Sequence, residues 1–419
     1  MKHLILNLIL VFWILNIHAQ WTNIGLNGLQ VNDLTIYSDT IYASTNNGLF
    51  KKNILNTDTT WLSCGNHSYY YVQTLVVNSQ TFISLVQLGT TYRTQIYKSI
   101  NFGKSFELMT TDTSNISTYQ FLDHIAHPND NYDTLYFLNH QLKTYDGGIT
   151  WESIYNRAQS DRFIMVNPIN HSQLIIGGET GFFSAYLQYS NDNGNTWTFP
   201  AMNSFFAGDN AIHDIVIDNT IWYAAGEGVI AKSIDEGESW EQLLNPWDDN
   251  SPFNLYYTDI EFSPLSKNIL YVTGLNSTSS NIVPLLYSEN QGLNWDSTFY
   301  ISLSTNQKIR CLTTKNIDNI DNVFLGGIGV FLYKKNINNI VKLNVSFDLV
   351  IYPNPVKNLL YIKTDKKITK IRVYDILGYQ IKVGLCKDNF IQLGEIPRGL
   401  YFISATIENK EIIRKFIKE

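Results

Sequence analysis

The chain has few charged residues and few cysteines. Charged side chains make up 16% of its 419 residues, a low share for a globular protein. Its three cysteines, Cys64, Cys311 and Cys386, lie far apart in the sequence, so at most one disulfide can form and neither a redox pair nor a metal-ligand spacing is present. We therefore expect an apolar core to stabilise the fold, and 44% hydrophobic residues supply the material for it.

The larger part of the sequence also lacks a basic surface. Residues 1–347 carry 17 basic and 29 acidic side chains, whereas residues 348–419 carry 13 basic and 8 acidic ones. An acidic main domain disfavours nucleic acid as a partner, because phosphate binding requires a positive surface. No glycine-rich phosphate loop is present either. We therefore predict no nucleic-acid partner and no cofactor.

Only one long hydrophobic run is present, and it lies at the N-terminus. Leu4 to Ile17 contains no charged residue, follows the basic Lys2 and precedes Ala19. The run is too short for a typical membrane span and has the order of a secretory signal peptide. We predict a signal peptide over residues 1–19 and no transmembrane segment after its cleavage.

An eight-residue pattern recurs five times in the main part of the chain. It reads Ser or Thr, any residue, Asp or Asn, any residue, Gly, any residue, a small polar residue and an aromatic, and its glycines lie 43 to 55 residues apart. Asp and Asn accept bonds from nearby backbone N–H groups and Gly adopts a positive φ, so the octet predicts a tight hairpin turn. The turn residues are Asn101 and Gly103, Asp146 and Gly148, Asp192 and Gly194, Asp235 and Gly237, and Asn290 and Gly292.

The octet resembles the Asp-box, or BNR repeat, of sialidase-like and sortilin-like β-propellers, where it is a structural turn without a catalytic role. Degenerate copies beginning at Gly48 and Gly329 extend the series to seven units, and repeats of this length are typical of four-stranded propeller blades. Trp21 to Ile24 resembles the strand after each octet, so we expect it to complete the last blade and close the ring. The sequence thus predicts an all-β fold with a seven-bladed β-propeller over residues 20–340.

A different segment follows a short linker at residues 341–347. Residues 348–419 contain, in order, Tyr352-Pro-Asn-Pro, Val373-Tyr-Asp-Ile-Leu-Gly378 and Pro397-Arg-Gly-Leu-Tyr401. We predict strands at Leu359–Lys363, Lys370–Tyr374, Phe390–Leu393 and Leu400–Ile403.

This segment closely resembles the type A sorting domain of the type IX secretion system of Bacteroidota. The resemblance implies a small immunoglobulin-like β-sandwich over residues 348–419 that is recognised by the type IX secretion machinery. It also implies export to the periplasm and then passage through the outer membrane, so the protein would be secreted or held on the outer cell surface.

The ligand site of a propeller is expected at the funnel where the inner strands begin. Aligning the repeats on these strands gives Asp33, Thr74, Asp123, Phe163, Asp214, Asp259 and Arg310. Carboxylates beside aromatic residues suit a glycan, because rings stack on C–H surfaces and carboxylates accept hydroxyl hydrogen bonds; a protein ligand is the other possibility. Alternatively, each Asp bonds the backbone of the neighbouring blade. The candidate ligand-binding residues are Asp33, Asp123, Asp214, Asp259, Arg310, Tyr256 and Tyr257.

A group of acidic residues and histidines resembles a set of metal ligands. However, His127 occupies the position before a proline that other repeats fill with Asn167 or Ser263, so it is a repeat position, and we predict no metal site. The group comprises Asp123, His124, His127, Asp130, Asp133 and His140.

No catalytic residue is assigned. Sialidases need three arginines for the sugar carboxylate, and the propeller contains only Arg93, Arg157, Arg162 and Arg310; xyloglucan-cleaving relatives place their catalytic pair between two propellers. We therefore predict a non-catalytic binding protein. The alternatives are a glycoside hydrolase that uses Asp33, Asp123, Asp214 or Asp259, and a structural or adhesion component of the surface.

Overall fold

The fold is all-β in every part of the chain that the computed structural model describes. None of these residues forms a helix that is long and apolar enough to cross a membrane. The chain divides into two compact units, Met1–Asn338 and Asn339–Glu419. The described residues are 21–87, 94–109, 124–128, 131–138, 140–154, 160–179, 185–198, 211–244, 255–276, 282–301, 309–336, 350–352, 356–363, 368–375, 379–381, 384–386, 390–393, 396–407 and 410–418.

The first unit consists of sheets made from strands that follow one another along the chain. Neighbouring strands are antiparallel, as expected from the alternation of strand and turn signals. The strands are β1 (Trp21–Tyr37), β2 (Thr40–Thr45), β3 (Gly48–Asn53), β4 (Leu62–Ser63), β5 (Tyr70–Val76), β6 (Phe82–Gln87), β7 (Thr94–Ser99), β8 (Glu107–Leu108), β9 (Ile125–Ala126), β10 (Leu135–Phe137), β11 (Leu142–Thr144), β12 (Glu152–Ser153), β13 (Ser160–Val166), β14 (Leu174–Glu179), β15 (Ala185–Ser190), β16 (Ile212–Asp218), β17 (Ile221–Gly226), β18 (Val229–Ser233), β19 (Glu241–Leu244), β20 (Leu255–Phe262), β21 (Leu270–Asn276), β22 (Ile282–Ser288), β23 (Asp296–Ile301), β24 (Cys311–Ile317) and β25 (Ile320–Asn336).

Six sheets form from these strands. Four contain four strands each (β5–β8, β9–β12, β16–β19 and β20–β23), and β13–β15 form a three-stranded sheet. The sixth has the order β24-β25-β1-β2-β3-β4, so it combines the beginning and the end of the unit. Within it, Trp21 pairs with Tyr333 and Asn23 with Phe331. The predicted pairing of the first strand with the last repeat is therefore present.

Apolar side chains fill the space between neighbouring sheets. In one cluster Phe163 and Leu187 of the β13–β15 sheet pack with Ile212 and Trp222 of the β16–β19 sheet, and all four are at most 1% exposed. Comparable clusters join the β16–β19 sheet to the β20–β23 sheet and that sheet to β24 and β25. A sheet of this size buries its faces only against its neighbours, so the core is distributed among the sheet interfaces.

Four of the octet turns connect the third strand of a four-stranded sheet to its fourth, and the octet at residues 190–197 follows β15, the third strand of the three-stranded sheet. In the second octet the Thr144 hydroxyl accepts the Gly148 N–H at 2.9 Å, and the Asp146 carboxylate accepts the N–H groups of Ile149 at 3.0 Å and Thr150 at 2.9 Å. The other four octets repeat the bond between the first hydroxyl and the glycine N–H at 2.7 to 3.0 Å. Hydrogen bonds from Thr150 lower the pKa of Asp146 to about 2, so this acceptor is charged at neutral pH.

Each octet also contacts the preceding sheet. Tyr189 donates its hydroxyl proton to the Gly237 carbonyl at 3.3 Å, and Tyr223 donates to the Gln291 carbonyl at 3.1 Å. Gly103, with φ +80°, approaches the preceding sheet so closely that an added Cβ would lie 1.6 Å from the Cys64 carbonyl oxygen. The octet therefore needs glycine both for its backbone conformation and for its contact with the neighbouring sheet.

The second unit contains two four-stranded sheets. Its core brings Leu360 and Ile391 of one sheet together with Val373, Ile403 and Phe416 of the other. The strands are β26 (Val350–Tyr352), β27 (Leu359–Lys363), β28 (Ile368–Asp375), β29 (Gln380–Ile381), β30 (Gly384–Cys386), β31 (Phe390–Gln392), β32 (Gly399–Ile407) and β33 (Lys410–Lys418), in the sheet orders β26-β27-β31-β30 and β29-β28-β32-β33. The strands predicted in this segment coincide with β27, β28, β31 and β32 to within a few residues.

Gly103→Ala tests the contact between an octet and the preceding sheet, and Gly28→Ala is its matched control. Gly28 has a similar φ of +85°, but an added Cβ would meet no atom within 4 Å. We expect Gly28→Ala to lower the free energy of unfolding by ~1 kcal/mol through backbone strain, and Gly103→Ala by about 3 kcal/mol, because overpacking adds to the strain. Urea unfolding of both variants measures the difference; equal losses would contradict the role of the close contact.

Candidate functional site

Three of the predicted site residues occupy the same position in their sheets. Each of Asp33 in β1, Asp214 in β16 and Asp259 in β20 directly follows a β-bulge of its strand. Each carboxyl is enclosed by protein on most sides and keeps partial contact with solvent. We call this end of the sheets, where the first strands begin, the bulge end; the octets lie at the opposite end.

These carboxylates bind the backbone of the next sheet. Asp33 accepts the Thr74 N–H at 3.2 Å, Asp214 accepts the Ile260 N–H at 3.0 Å, and Asp259 accepts the Leu312 N–H at 2.8 Å. Because a first strand has no sheet partner on its inner side, these bonds satisfy backbone donors that would otherwise require water. These bonds agree with the alternative interpretation of the sequence, in which each Asp binds the backbone of the neighbouring repeat and so links adjacent sheets.

The sheet register corrects the sequence alignment in the second repeat. Gln73, and not Thr74, follows the bulge of its sheet as Asp33 does. The Gln73 side-chain oxygen accepts the Ile125 N–H of the next sheet at 2.7 Å. An amide thus makes the same bond between sheets as a carboxylate, which indicates that the position requires an acceptor and not a charge.

The register also shifts the last repeat by one residue. Cys311 pairs with Gly326 of β25, and Leu312, which follows it, is the residue that Asp259 binds. Cys311 therefore occupies the position aligned with Asp259, and Arg310 occupies the preceding bulge position. The Arg310 backbone N–H donates to the Gly326 carbonyl at 2.9 Å.

The remaining candidates are placed differently. Tyr256 forms an isolated β-bridge with Glu227 and is partly exposed, whereas Tyr257 is fully buried in the core between two sheets. Tyr257 thus belongs to the packing of the sheets. Asp123 lies outside the described residues.

Burial perturbs the acidic groups at the bulge end. It raises the pKa of Asp33 and of Asp214 to about 6. Burial also raises the pKa of Asp259 well above its usual range, and the charges of Asp214 and Glu261 raise it further. Glu261, two residues along the same strand, has a pKa of about 8, again mainly because of burial. These carboxyls thus carry less than their full negative charge near neutral pH.

Two side-chain pairs at the bulge end, an Arg–Glu salt bridge and a His–Glu contact, were not among the predicted site residues. Arg162 lies in the bulge of β13 and donates to Glu179 at 2.6 Å; His213 lies in the bulge of β16, with its Nε2 3.3 Å from Glu227 Oε1. Glu179 is the last residue of β14, the second strand of its sheet, and Glu227 directly follows β17, the second strand of its sheet, so each pair joins a bulge residue to the end of the neighbouring strand. In the sequence, Arg162 and His213 directly precede Phe163 and Asp214, the residues that the alignment of the inner strands selected. An alignment that also considered the preceding residue of each repeat would have found them.

Among the described residues, no group of three or more His, Cys, Asp or Glu side chains is arranged to hold a metal ion. His127 packs against Tyr132, with ring centroids 4.9 Å apart, and its Nδ1 lies 2.9 Å from the Pro128 carbonyl oxygen. His140 Nε2 lies 3.1 Å from the Thr94 hydroxyl. These two histidines therefore make contacts with neighbouring protein groups.

The first unit is similar in fold to solved β-propeller proteins. The structure titled "YCF48 bound to D1 peptide" has a TM-score of 0.54 and 14% identity, with 75% of this chain and 97% of that chain covered. A GH74 enzyme of Niastella koreensis has a TM-score of 0.52 and 15% identity, with 94% and 74% covered. PorZ, described as a surface component of the type IX secretion system of Porphyromonas gingivalis, has a TM-score of 0.50 and 12% identity, with 93% and 59% covered. At these identities the similarity shows the propeller-like fold alone.

The second unit carries the family assignment. Residues 350–419 match the family of secretion system C-terminal sorting domains. The protein is therefore exported through the type IX secretion system, to the cell surface or beyond it. No curated protein matches the chain.

The raised pKa values predict how stability depends on pH. A carboxyl whose pKa is raised by folding favours the folded state below its ordinary pKa, and this contribution is lost as the pH rises through the folded value. We expect stability to fall from about pH 4, where the unfolded carboxyls ionise, to about pH 8, the folded value of Glu261. Asp259→Asn keeps an acceptor for the Leu312 N–H, so it should raise the free energy of unfolding at pH 8, on the order of 1 kcal/mol, and by less at pH 5.

Urea unfolding at both pH values measures this effect. Asp146→Asn is the control, because the pKa of Asp146 is lowered by hydrogen bonds to Thr150; this variant should be less stable than the original protein at pH 8. An Asp259→Asn variant destabilised equally at both pH values would contradict the proposed cost of charge at this position.

Proposed function

We propose that the protein is an exported, non-catalytic binding protein that takes a glycan or protein ligand at the bulge end of its first unit. The observation that carries the proposal is the role of the inner carboxylates. Asp33, Asp214 and Asp259 are each engaged with a backbone N–H of the next sheet. A catalytic carboxylate must instead present its oxygens to the substrate.

A seven-bladed propeller is the architecture that we infer for the first unit. The six-stranded sheet divides naturally into two blades, one from β1 to β4 and one from β24, β25 and the start of β1. With the other five sheets, these make seven. Because Trp21 to Asn23 pairs with β25, the two ends of the unit meet in one sheet. We identify the octets as Asp-boxes from their turn hydrogen bonds, and the second unit as an immunoglobulin-like sandwich over residues 348–419, after a linker at 341–347.

The ligand site that we propose is centred on the Arg162–Glu179 and His213–Glu227 side-chain pairs. Arg162 and Glu179 have side chains that are 22% and 19% exposed, and His213 and Glu227 are 12% and 25% exposed. Partly exposed charged groups held by a neighbour are preorganised to give and accept hydrogen bonds, which suits a polar ligand. Tyr256 pairs with Glu227 through the backbone and adds an aromatic ring to this end.

A glycoside hydrolase is the second candidate function. It is favoured by the raised pKa of Asp259 beside Asp214, because general acids in glycosidases are carboxyls kept protonated by burial and by a neighbouring charge. The fold is shared with a GH74 enzyme as well as with a peptide-bound protein. A purely structural or adhesion role on the cell surface is the third candidate.

A binding screen of the full-length protein against glycan and peptide arrays tests the proposal, with product analysis after long incubation. We expect binding without new reducing ends. Arg162→Met and Glu227→Gln should each weaken binding by about tenfold, or ~1.4 kcal/mol, since each removes one partner of a side-chain pair at the site. Asp146→Asn, at the octet end, is the control and should bind like the original protein.

The outcomes separate the three candidates. New reducing ends that disappear in Asp259→Asn would establish the hydrolase and overturn the non-catalytic proposal. Binding that survives Arg162→Met and Glu227→Gln would place the ligand elsewhere. If the protein binds no glycan and no peptide on the arrays, a structural or adhesion role on the cell surface is favoured.

A further inference from the structure

Three Asn-Gly pairs are present in the first unit: Asn27-Gly28, Asn47-Gly48 and Asn193-Gly194. Such a pair can rearrange without an enzyme. The glycine backbone nitrogen attacks the Asn side-chain carbon, a C–N bond forms, and ammonia leaves with the amide proton. Water then opens the cyclic imide to aspartate or isoaspartate. Glycine favours this step, because it has no side chain to hinder the approach.

Hydrogen bonds restrain two of these Asn-Gly pairs. The Gly194 N–H donates to the Ser190 hydroxyl at 2.7 Å, and the Asn193 side-chain oxygen accepts a bond from the Tyr136 hydroxyl at 3.2 Å. The Gly48 N–H donates to the Tyr69 carbonyl at 3.0 Å. In both pairs the nucleophilic nitrogen is held in a hydrogen bond, so it cannot approach the Asn side chain without breaking that bond.

The third pair lies in an irregular part of β1. Gly25 pairs with Val330 and Gln30 with Ile328, so the residues between Gly25 and Gln30 bulge out of the sheet and Gly28 is not a paired position. Asn27 and Gly28 are both exposed, and Gly28 has open space around its Cα. The Asn27 side-chain oxygen accepts a hydrogen bond from the Asn23 amide at 2.8 Å, on the surface.

We propose that Asn27-Gly28 is a site of spontaneous deamidation in the folded protein, and that Asn47 and Asn193 are protected by their turns. The reaction places a new carboxylate in the segment that connects the β25-paired half of β1 to its β2-paired half. In the isoaspartate product the backbone is longer by one carbon, which the bulge can accommodate because its residues are unpaired. The modified protein is therefore expected to stay folded with one additional negative charge.

Peptide mapping by mass spectrometry of the folded full-length protein, incubated at mildly alkaline pH, tests the proposal. We expect deamidation at Asn27 to be roughly tenfold faster than at Asn47 or Asn193. The same protein in concentrated urea is the reference, because unfolding removes the protecting hydrogen bonds and should bring the three rates together. Gly28→Ala should suppress the reaction at position 27 and leave the other two sites unchanged.

Two results would overturn the proposal. One is equal deamidation at the three sites in the folded protein, which would show that the turns give no protection. The other is an intact Asn27 in the folded protein under conditions where the unfolded chain deamidates. Ion-exchange chromatography of the folded protein supplies an independent readout, since the product carries one more negative charge and should elute as a separate, folded species.

Discussion

The hydrogen bonds between neighbouring sheets are the constraint on which the first unit depends. A small antiparallel sheet leaves its first strand without a partner on the inner side and its faces without cover. At the bulge end, Asp33, Asp214 and Asp259 bind the backbone of the following sheet. At the octet end, Tyr189 and Tyr223 donate to the following turn. The interface between the β16–β19 and β20–β23 sheets is thus joined at both ends, by Asp214 and by Tyr223, with apolar packing between them.

This arrangement explains why the acidic residues at the bulge end behave differently from those in the octets. The octet carboxylate of Asp146 lies on the surface and accepts several hydrogen bonds, which stabilise its charge. The carboxyl of Asp259 is enclosed and lies beside other acidic groups, so its charge is disfavoured. The same side chain therefore serves as a charged turn acceptor in one place and as a largely neutral link between sheets in another.

The two units differ in what they indicate about the protein. The second unit has its own core and matches the sorting domains that direct export. The first unit has the acidic charge and the propeller-like fold shared by enzymes and by non-catalytic proteins. Because this fold supports unrelated functions, the chemistry must be read from its surface. The polar pairs of Arg162 with Glu179 and of His213 with Glu227 are the features that distinguish the bulge end.

The sequence alone determined the features that rest on local chemistry: the octet turns, the repeat of strands, the strands of the sorting domain and the pairing of Trp21 with the last repeat. These follow from turn residues and strand patterns, which act over a few positions. Only the tertiary structure decided the register of the first strands, in which Gln73 and Cys311 occupy the aligned position. It also decided that Tyr257 is core and that the Asp side chains bind backbone, because bulges and contacts between sheets depend on residues distant in sequence.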